Sequence, residues 1–582
     1  MPGSAMHDIY PTYPARGAGT AAGGPAGTEQ VDLYIRTYTT LLRSSGELRL
    51  RTLEPTHIGM HSSLHSGAGS AQPDMGALIY ATQRLPPCMP AVRRVILGQS
   101  AEAFRRALGE DVTAWEQVKA PGRRRRWHYD GGERLAVFIA SQTDVDDLIP
   151  TLVAWQIEWN KLHVQLRSLP HPHDGDPVAA VLNAPDAMLG GAAEDWARLR
   201  HIWGERFAEV LRCIAAADRN MTVRLLGGTH VGYARATAAW WQPIEVVLRE
   251  QGLHERPLYF VSSNTHCLIN LLSGVACRYE REILAHVVER GDDELSAELE
   301  AVRTGASRAN RNNLLYYAAR RYFNENPEAY ARRSQEERER GIFHVAPSTA
   351  IEVAAQVFAL DRLHIEDLDP RLGNVDAARL RACPAVIVNI DYPLGLAAYH
   401  ILRCIMERAV ELRGVYILGK AATLNASVGD VLIPDVVHDE HSLNTYWLDN
   451  CFDASDVAPF LIFGSALDHQ RAVTVKGTFL QNHGYLDMYY RDAYTTVEME
   501  AGPYLEALYE GTRPERYPAG ENVNFSKLPF DCGIIHYASD TPYTQARTLG
   551  ARSLDYRGMD STYAGGVAIA RRILTCEALI TT

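Results

Sequence analysis

The stretch VYILGKAATLNASVGDVLIP, residues 415–434, decides the fold. Its first run, Val415 to Leu418, is apolar without two-residue alternation, and so is its second, Val431 to Ile433. A strand that shows one face to water alternates polar and apolar residues, whereas a strand covered on both faces reads as a continuous apolar run. The same texture recurs outward, in VIVNI from Val386 and in the run from Cys532 to Tyr537. A helical stretch from about Leu394 to Leu412 separates two of these runs, and KGTFLQ and TTVEMEA add further segments. This predicts an α/β class, with a layered unit around a largely parallel sheet over residues 341–582.

A second α/β unit is expected over residues 31–340. VRRVILG from Val92, LAVFIA from Leu135, MTVRLL from Met221 and PLYFVSS from Pro257 read as strands. Leu148, Leu152, Trp155, Trp159, Leu162 and Leu166 recur on one helical face, which places Pro150 in a first turn. Further helices are expected near Ala193 and from Leu268 to Val288. The charged stretch from Glu282 to Arg340 reads as solvated helices leading out of this unit, and the run Arg123 to Arg126 as a solvated loop. Residues 1–30, rich in Gly, Ala and Pro, read as a flexible leader.

Composition narrows the function classes. In 582 residues, 46% are hydrophobic and 22% charged, the balance of an ordinary globular protein. A net charge of −12 argues against a nucleic acid polymer as partner. Nine scattered cysteines with no C-x-x-C pair suggest neither a disulfide framework nor a zinc ribbon, and point to a cytoplasmic setting. No window approaches 18 consecutive apolar residues, so no membrane partner is expected.

Two local patterns are decoys. Gly414 to Lys420 fits G-x-x-x-x-G-K, but its interior is a strand and Ala421 stands where a magnesium-binding hydroxyl belongs. His438, Asp439, Glu440 and His441 raise a metal question, yet the histidines are three apart with no third ligand nearby, so no metal and no cofactor are expected.

The informative series is Gly419-Lys420-Ala421-Ala422-Thr423-Leu424-Asn425, then Val428-Gly429-Asp430-Val431-Leu432-Ile433-Pro434, then Thr496-Val497-Glu498-Met499-Glu500-Ala501, then Ser539-Asp540. In this order the segments resemble the nucleoside phosphorylase and nucleoside hydrolase superfamily over roughly residues 380–582. The resemblance implies a three-layer domain around a central mixed sheet, a purine nucleoside or nucleotide as substrate, a loop at Gly419, Lys420 and Thr423, and ribose contacts from Met499 and Glu500. It also implies base contacts from Ser539 and Asp540, a base-stacking face from Phe479 and Leu480, and symmetric homo-oligomers. AMP nucleosidases, which also join an N-terminal α/β domain to a phosphorylase-like one, are an analogy of architecture only.

The chemistry of those roles is general. Breaking an N-glycosidic bond puts positive charge on the sugar and negative charge on the leaving base, so an anchor is needed for one and a proton for the other. Glu500 would orient the ribose hydroxyls, and Asp540 would protonate the base if burial raises its pKa. The G-D-P-x-R arginine with which phosphorylases grip phosphate is missing from Ile390-Asp391-Tyr392-Pro393-Leu394-Gly395. Asp391 stands instead where hydrolytic members place a water-activating carboxylate, so hydrolysis is expected, with phosphorolysis and non-catalytic purine binding as alternatives. Lys420 leaves open a phosphate, free or on the substrate. Glu158 to His163 and Ser262 to His266 are polar clusters beside apolar helices; for the second, capping by Ser263 or Asn264 competes with ligand binding.

Overall fold

The structure, a computed structural model, describes residues 26–44, 46–169, 178–179, 181–347, 351–525, 527–541 and 558–580. Residues 1–25 of the expected leader lie outside the described residues, and a helix, Ala26–Ser44, covers the rest of it. The fold is α/β, built on two mixed sheets.

The smaller sheet has six strands in the order Leu48–Arg49, Thr222–Leu226, Arg94–Gly98, Arg134–Phe138, Arg123–Tyr129 and Glu116–Ala120. Thr222–Leu226, Arg94–Gly98 and Arg134–Phe138 run parallel, and the outer strands are antiparallel. Val95, Leu97, Leu135 and Val137 pack against the helices Met75–Arg84 and Gln142–Ser168, while Ile96, Ala136 and Phe138 face Phe104 on the other side. The helix Gln142–Ser168 starts earlier than its apolar stripe suggests, because Asp144 in its first turn reaches back to accept the N–H groups of Ala140 and Ser141. Pro150 therefore sits inside the helix rather than in its first turn.

The larger sheet has eleven strands. Its path runs Asn522–Phe525, Thr445–Leu448, Val431–Asp439, Ala466–Thr474, Thr496–Glu498, Leu412–Thr423, Leu258–Ser263, Val386–Asp391, Ala355–Ala359 and Ile342–Val345. The remaining strand, Asp531–Asp540, pairs with both Leu412–Thr423 and Val431–Asp439, which closes five strands into a ring. Both faces are covered, as the unbroken apolar runs require. Tyr259, Val261, Tyr416 and Leu418 pack with the helices Arg311–Glu325 and Gly558–Cys576 on one side. Leu258, Phe260, Val415 and Ile417 pack with His230–Glu250, Ala397–Met406 and Ala501–Thr512 on the other. Leu258–Ser263 lies in the middle of this sheet, so the two sheets part the chain between Leu226 and Leu258 rather than at Arg340.

The helices between Glu280 and Glu339 do not lead outward. Leu295, Leu314, Leu315 and Phe323 bury their apolar stripes in the same core as Tyr259 and Val261. The helix expected from Leu268 to Val288 breaks at Gly274, whose φ of +62° and close contact with Asp367 admit no side chain. KGTFLQ is not a strand but a single turn at Thr478–Leu480. No described helix is long and apolar enough to cross a membrane.

Two of the four arginines join the sheets. Arg123–Tyr129 is a strand, so alternate side chains point opposite ways. Arg123 and Arg125 turn to Asp144 and Asp147 on the helix Gln142–Ser168. Arg124 and Arg126 turn to Asp391 and Glu352 of the other half. The expected loop is therefore a strand of ion pairs, because its carboxylate partners, distant in sequence, return to it in space.

Candidate functional site

Four parallel strands, Val386–Asp391, Leu258–Ser263, Leu412–Thr423 and Asp531–Asp540, bring their carboxyl ends to one edge of the larger sheet. Ligands of open α/β sheets bind at such edges. Leu258–Ser263 pairs with Leu412–Thr423 up to Ile417, and Thr496–Glu498 takes over at Ala422. Leu418, Gly419, Lys420 and Ala421 lie between these two pairings. Tyr392 lies directly over Gly419, where any side chain would overlap its ring. The Tyr392 hydroxyl is buried without a hydrogen-bond partner among the described residues.

Glu500 stands at the start of the helix Ala501–Thr512 but does not cap it. Glu498 does that work: its Oε2 accepts the N–H groups of Glu500 and Ala501 at 2.6 and 2.7 Å. Glu500 is thereby free to turn to Gly395, whose N–H it accepts at 3.2 Å. Gly395 in turn is held by the other half of the molecule. Its φ is +52°, a Cβ there would overlap Thr143, and the Thr143 hydroxyl accepts Leu396 N–H at 3.0 Å. Burial pushes the Glu500 carboxyl upward and the neighbouring Glu498 adds to this, while Gly395 and Arg123 oppose it.

Asp540 ends its strand just past a bulge. Ala421 faces Ala538 and Ala422 faces Asp540, so Ser539 is an extra residue that re-aims the side chain after it. The Ser539 hydroxyl donates to Ala421 O at 3.3 Å. Asp540 is 7% exposed, and burial raises its carboxyl to about 7 against the opposing charges of Arg84 and Lys420. Lys420 is exposed, and its ammonium is held below its ordinary value: lost water is the main cause, Arg124, Arg320 and Arg84 add to it, and Asp540 opposes.

The other expected site residues divide. Asp391 reaches the edge but is bound: Arg124 forms an ion pair with its Oδ2, and its Oδ1 accepts Tyr392 N–H at 3.0 Å. A carboxylate held this way is poorly placed to activate water. Thr423 is buried and holds the following turn, accepting Ala426 N–H at 2.9 Å. Met499 packs against a small cluster that includes Leu424, Val473 and Val497. Phe479 and Leu480 are not a base-stacking face. Phe479 is 3% exposed, with its ring edge-on to Tyr80 at 5.2 Å and beside Leu64 and Ala154, and Leu480 belongs to the core of the smaller sheet. Asn264 caps the helix Cys267–Ser273 by accepting the N–H groups of His266 and Cys267. His441 and Asp439 bond each other at 2.9 Å.

Arg84 and Tyr392 were not legible as site residues. Arg84 belongs to the helix Met75–Arg84, far from the motif series, and no local pattern marks it.

Comparison with known proteins adds the family. Residues 50–575 match the model described as family of unknown function DUF6909. The chain belongs to that family. No curated protein matches this DUF6909 chain. Among solved structures, it is similar to uridine phosphorylase from Schistosoma mansoni in complex with uracil, at 9% identity, over 57% of this chain and 91% of that one, with a TM-score of 0.29. It is also similar to the 5'-methylthioadenosine/S-adenosylhomocysteine nucleosidase of Neisseria meningitidis in complex with methylthio-immucillin-A. That match has 12% identity over 41% of this chain and 93% of that one, with a TM-score of 0.26. A third, methylthioadenosine phosphorylase from an antarctic soil metagenomic library, has 10% identity over 34% and 73% with a TM-score of 0.25. At such TM-scores the DUF6909 site stands on its own residues.

Proposed function

We propose that this edge cleaves the bond between base and ribose in a nucleoside or nucleotide, of the purine class that the motif series implies, with water as acceptor. The observation that carries the reading is Asp540: a carboxyl near 7 at the carboxyl end of a parallel strand, where a protonated side chain can pass its proton to a departing base. Glu500 lies on the other side of Gly419 and Lys420, turned from its own helix towards Gly395. Ribose hydroxyls donating to its carboxylate would bring its raised pKa down, and the same carboxylate would stabilise positive charge growing on the sugar. Asp391 has no part in this mechanism because Arg124 holds it.

The test is base release. Purified full-length protein is incubated with purine and pyrimidine nucleosides and their 5'-monophosphates, with and without inorganic phosphate, and free base is measured by chromatography. Release without phosphate is expected for a purine compound. A panel in which no compound yields base under either condition overturns the reading.

A further inference from the structure

Two cations at this edge have no ion-pair partner among the described residues. Arg84 is 6% exposed; its guanidinium lies 3.3 Å over the ring of Tyr80, donates to Tyr80 O at 3.2 Å, and leaves Nε buried with no acceptor. Lys420, from the opposite unit, stands in the gap between two strand pairings. Both act on Asp540. Arg320, exposed on the helix Arg311–Glu325, acts on Lys420 and His266.

A buried guanidinium without an anion is costly, and its fixed fork of donors matches the oxygens of a phosphate group, to which an ammonium adds a point charge. Arg123 and Arg125, also buried, meet carboxylates at 2.6–2.8 Å, whereas Arg219 is held, like Arg84, by an aromatic ring, that of Trp159, and by a backbone carbonyl, that of Pro90. Arg84 lacks a carboxylate partner. Asp540, about half protonated near pH 7, and Asp147, already shared by Arg123 and Arg125, compensate it only in part; the Arg84 guanidinium is itself lowered to about 10, chiefly by burial.

We propose that Arg84 and Lys420 together hold a phosphate group beside Asp540, so that the N-terminal unit completes the site. Two sources share this chemistry, the 5'-phosphate of a nucleotide and inorganic phosphate. The inference rests on the reading above for where the nucleoside lies, and binding measured without turnover separates the two.

Calorimetric titration of the full chain uses three probes: adenosine, adenosine 5'-monophosphate and inorganic phosphate. At least tenfold tighter binding of the monophosphate than of adenosine, with inorganic phosphate competing, is expected if the group is part of the substrate. Inorganic phosphate that binds alone and tightens adenosine is expected if it is a second reactant. In either case Lys420→Met weakens the phosphate-bearing probe at least tenfold and spares adenosine. Arg84→Gln does the same and Arg84→Lys recovers part of the loss. Lys420 is exposed, so its variant keeps the assay decisive if Arg84→Gln fails to fold. Equal binding of phosphate-bearing probes by Lys420→Met and the unaltered chain, or no binding by either, overturns the proposal. Phosphate binding without any adenosine binding supports the anion site while removing the nucleoside reading.

Discussion

The strand Arg123–Tyr129 and the edge around Asp540 both gather charge at the junction of the two sheets, and they treat it in opposite ways. On the strand, Arg123 to Arg126 each meet a carboxylate. At the edge, Arg84 and Lys420 face Asp540 without an ion pair, and burial raises the Asp540 carboxyl to about 7. Burial weighs on Asp147 as it does on Asp540, but Arg123 and Arg125 overcome it and hold the Asp147 carboxyl well below the usual range. Two buried carboxyls therefore move in opposite directions according to how many hydrogen-bonded cations reach them. The pairs of Arg124 and Arg126 hold the halves together, those of Arg123 and Arg125 tie the strand to its own helix, and charges left unpaired are available to a ligand.

The largest expected effect breaks the unpaired side. Asp540→Asn removes the proton donor, and base release should fall by about 10²- to 10⁴-fold. In the unaltered protein, release should decline as pH rises past about 7, where Asp540 loses its proton. Stability should fall with rising pH as well, over a lower window. Folded Asp540 keeps its proton up to about 7, whereas the unfolded carboxyl loses it near 4, so the folded state binds more protons across that window and loses stability as pH rises through it. The melting temperature of Asp540→Asn relative to the unaltered chain should therefore climb between pH 5 and pH 8. A flat difference would mean that Asp540 is already ionised, and the contrast with Asp147 would disappear.

How much of this was readable from sequence follows the range of each interaction. The α/β class and the strands at 386–391, 412–423 and 531–540 were legible, since burial on both faces leaves its mark on the strand itself. Glu500 and Asp540 were legible as members of short local patterns. The grip of Thr143 on Gly395 spans more than two hundred residues and leaves no local trace. Phe479 shows the limit of an aromatic signal, because a base-stacking ring and a ring plugged against Tyr80 and Leu64 look alike in one dimension. The arginine run failed for the same reason: four adjacent cations suggest solvent until Asp144, Asp147, Glu352 and Asp391 are brought to them.

A second experiment breaks the paired side. Asp147 is buried between Arg123 and Arg125, and Asp147→Asn leaves two guanidinium groups without their shared carboxylate. A loss on the order of 3–5 kcal/mol is expected, read from denaturant unfolding. The pH signature opposes that of Asp540. Because folding lowers the Asp147 pKa, its contribution is complete above the ordinary carboxylate range and is lost as pH falls below it. Unaltered and Asp147→Asn proteins should thus converge in stability only in acid. A loss under about 1 kcal/mol would place the pairs that tie the strand to its own helix among interactions of little consequence.

The smallest effect comes from the pair that touches both regions. Arg124 is 51% exposed on its side chain and Asp391 17%, so water screens their attraction far more than that of Asp147. Arg124→Ala should cost under about 1 kcal/mol in denaturant unfolding, although the same guanidinium also donates to Tyr392 O at 2.8 Å. The variant also tests the assignment of Asp391 to the joint. Freed from its arginine, Asp391 would be released to act on water, so a rate that rises several-fold on removing Arg124 would restore it as a base held in check. A rate that falls a hundredfold would instead move the Arg124–Asp391 pair to the working edge, since an exposed ion pair whose only task is to join two sheets has no route to an effect of that size.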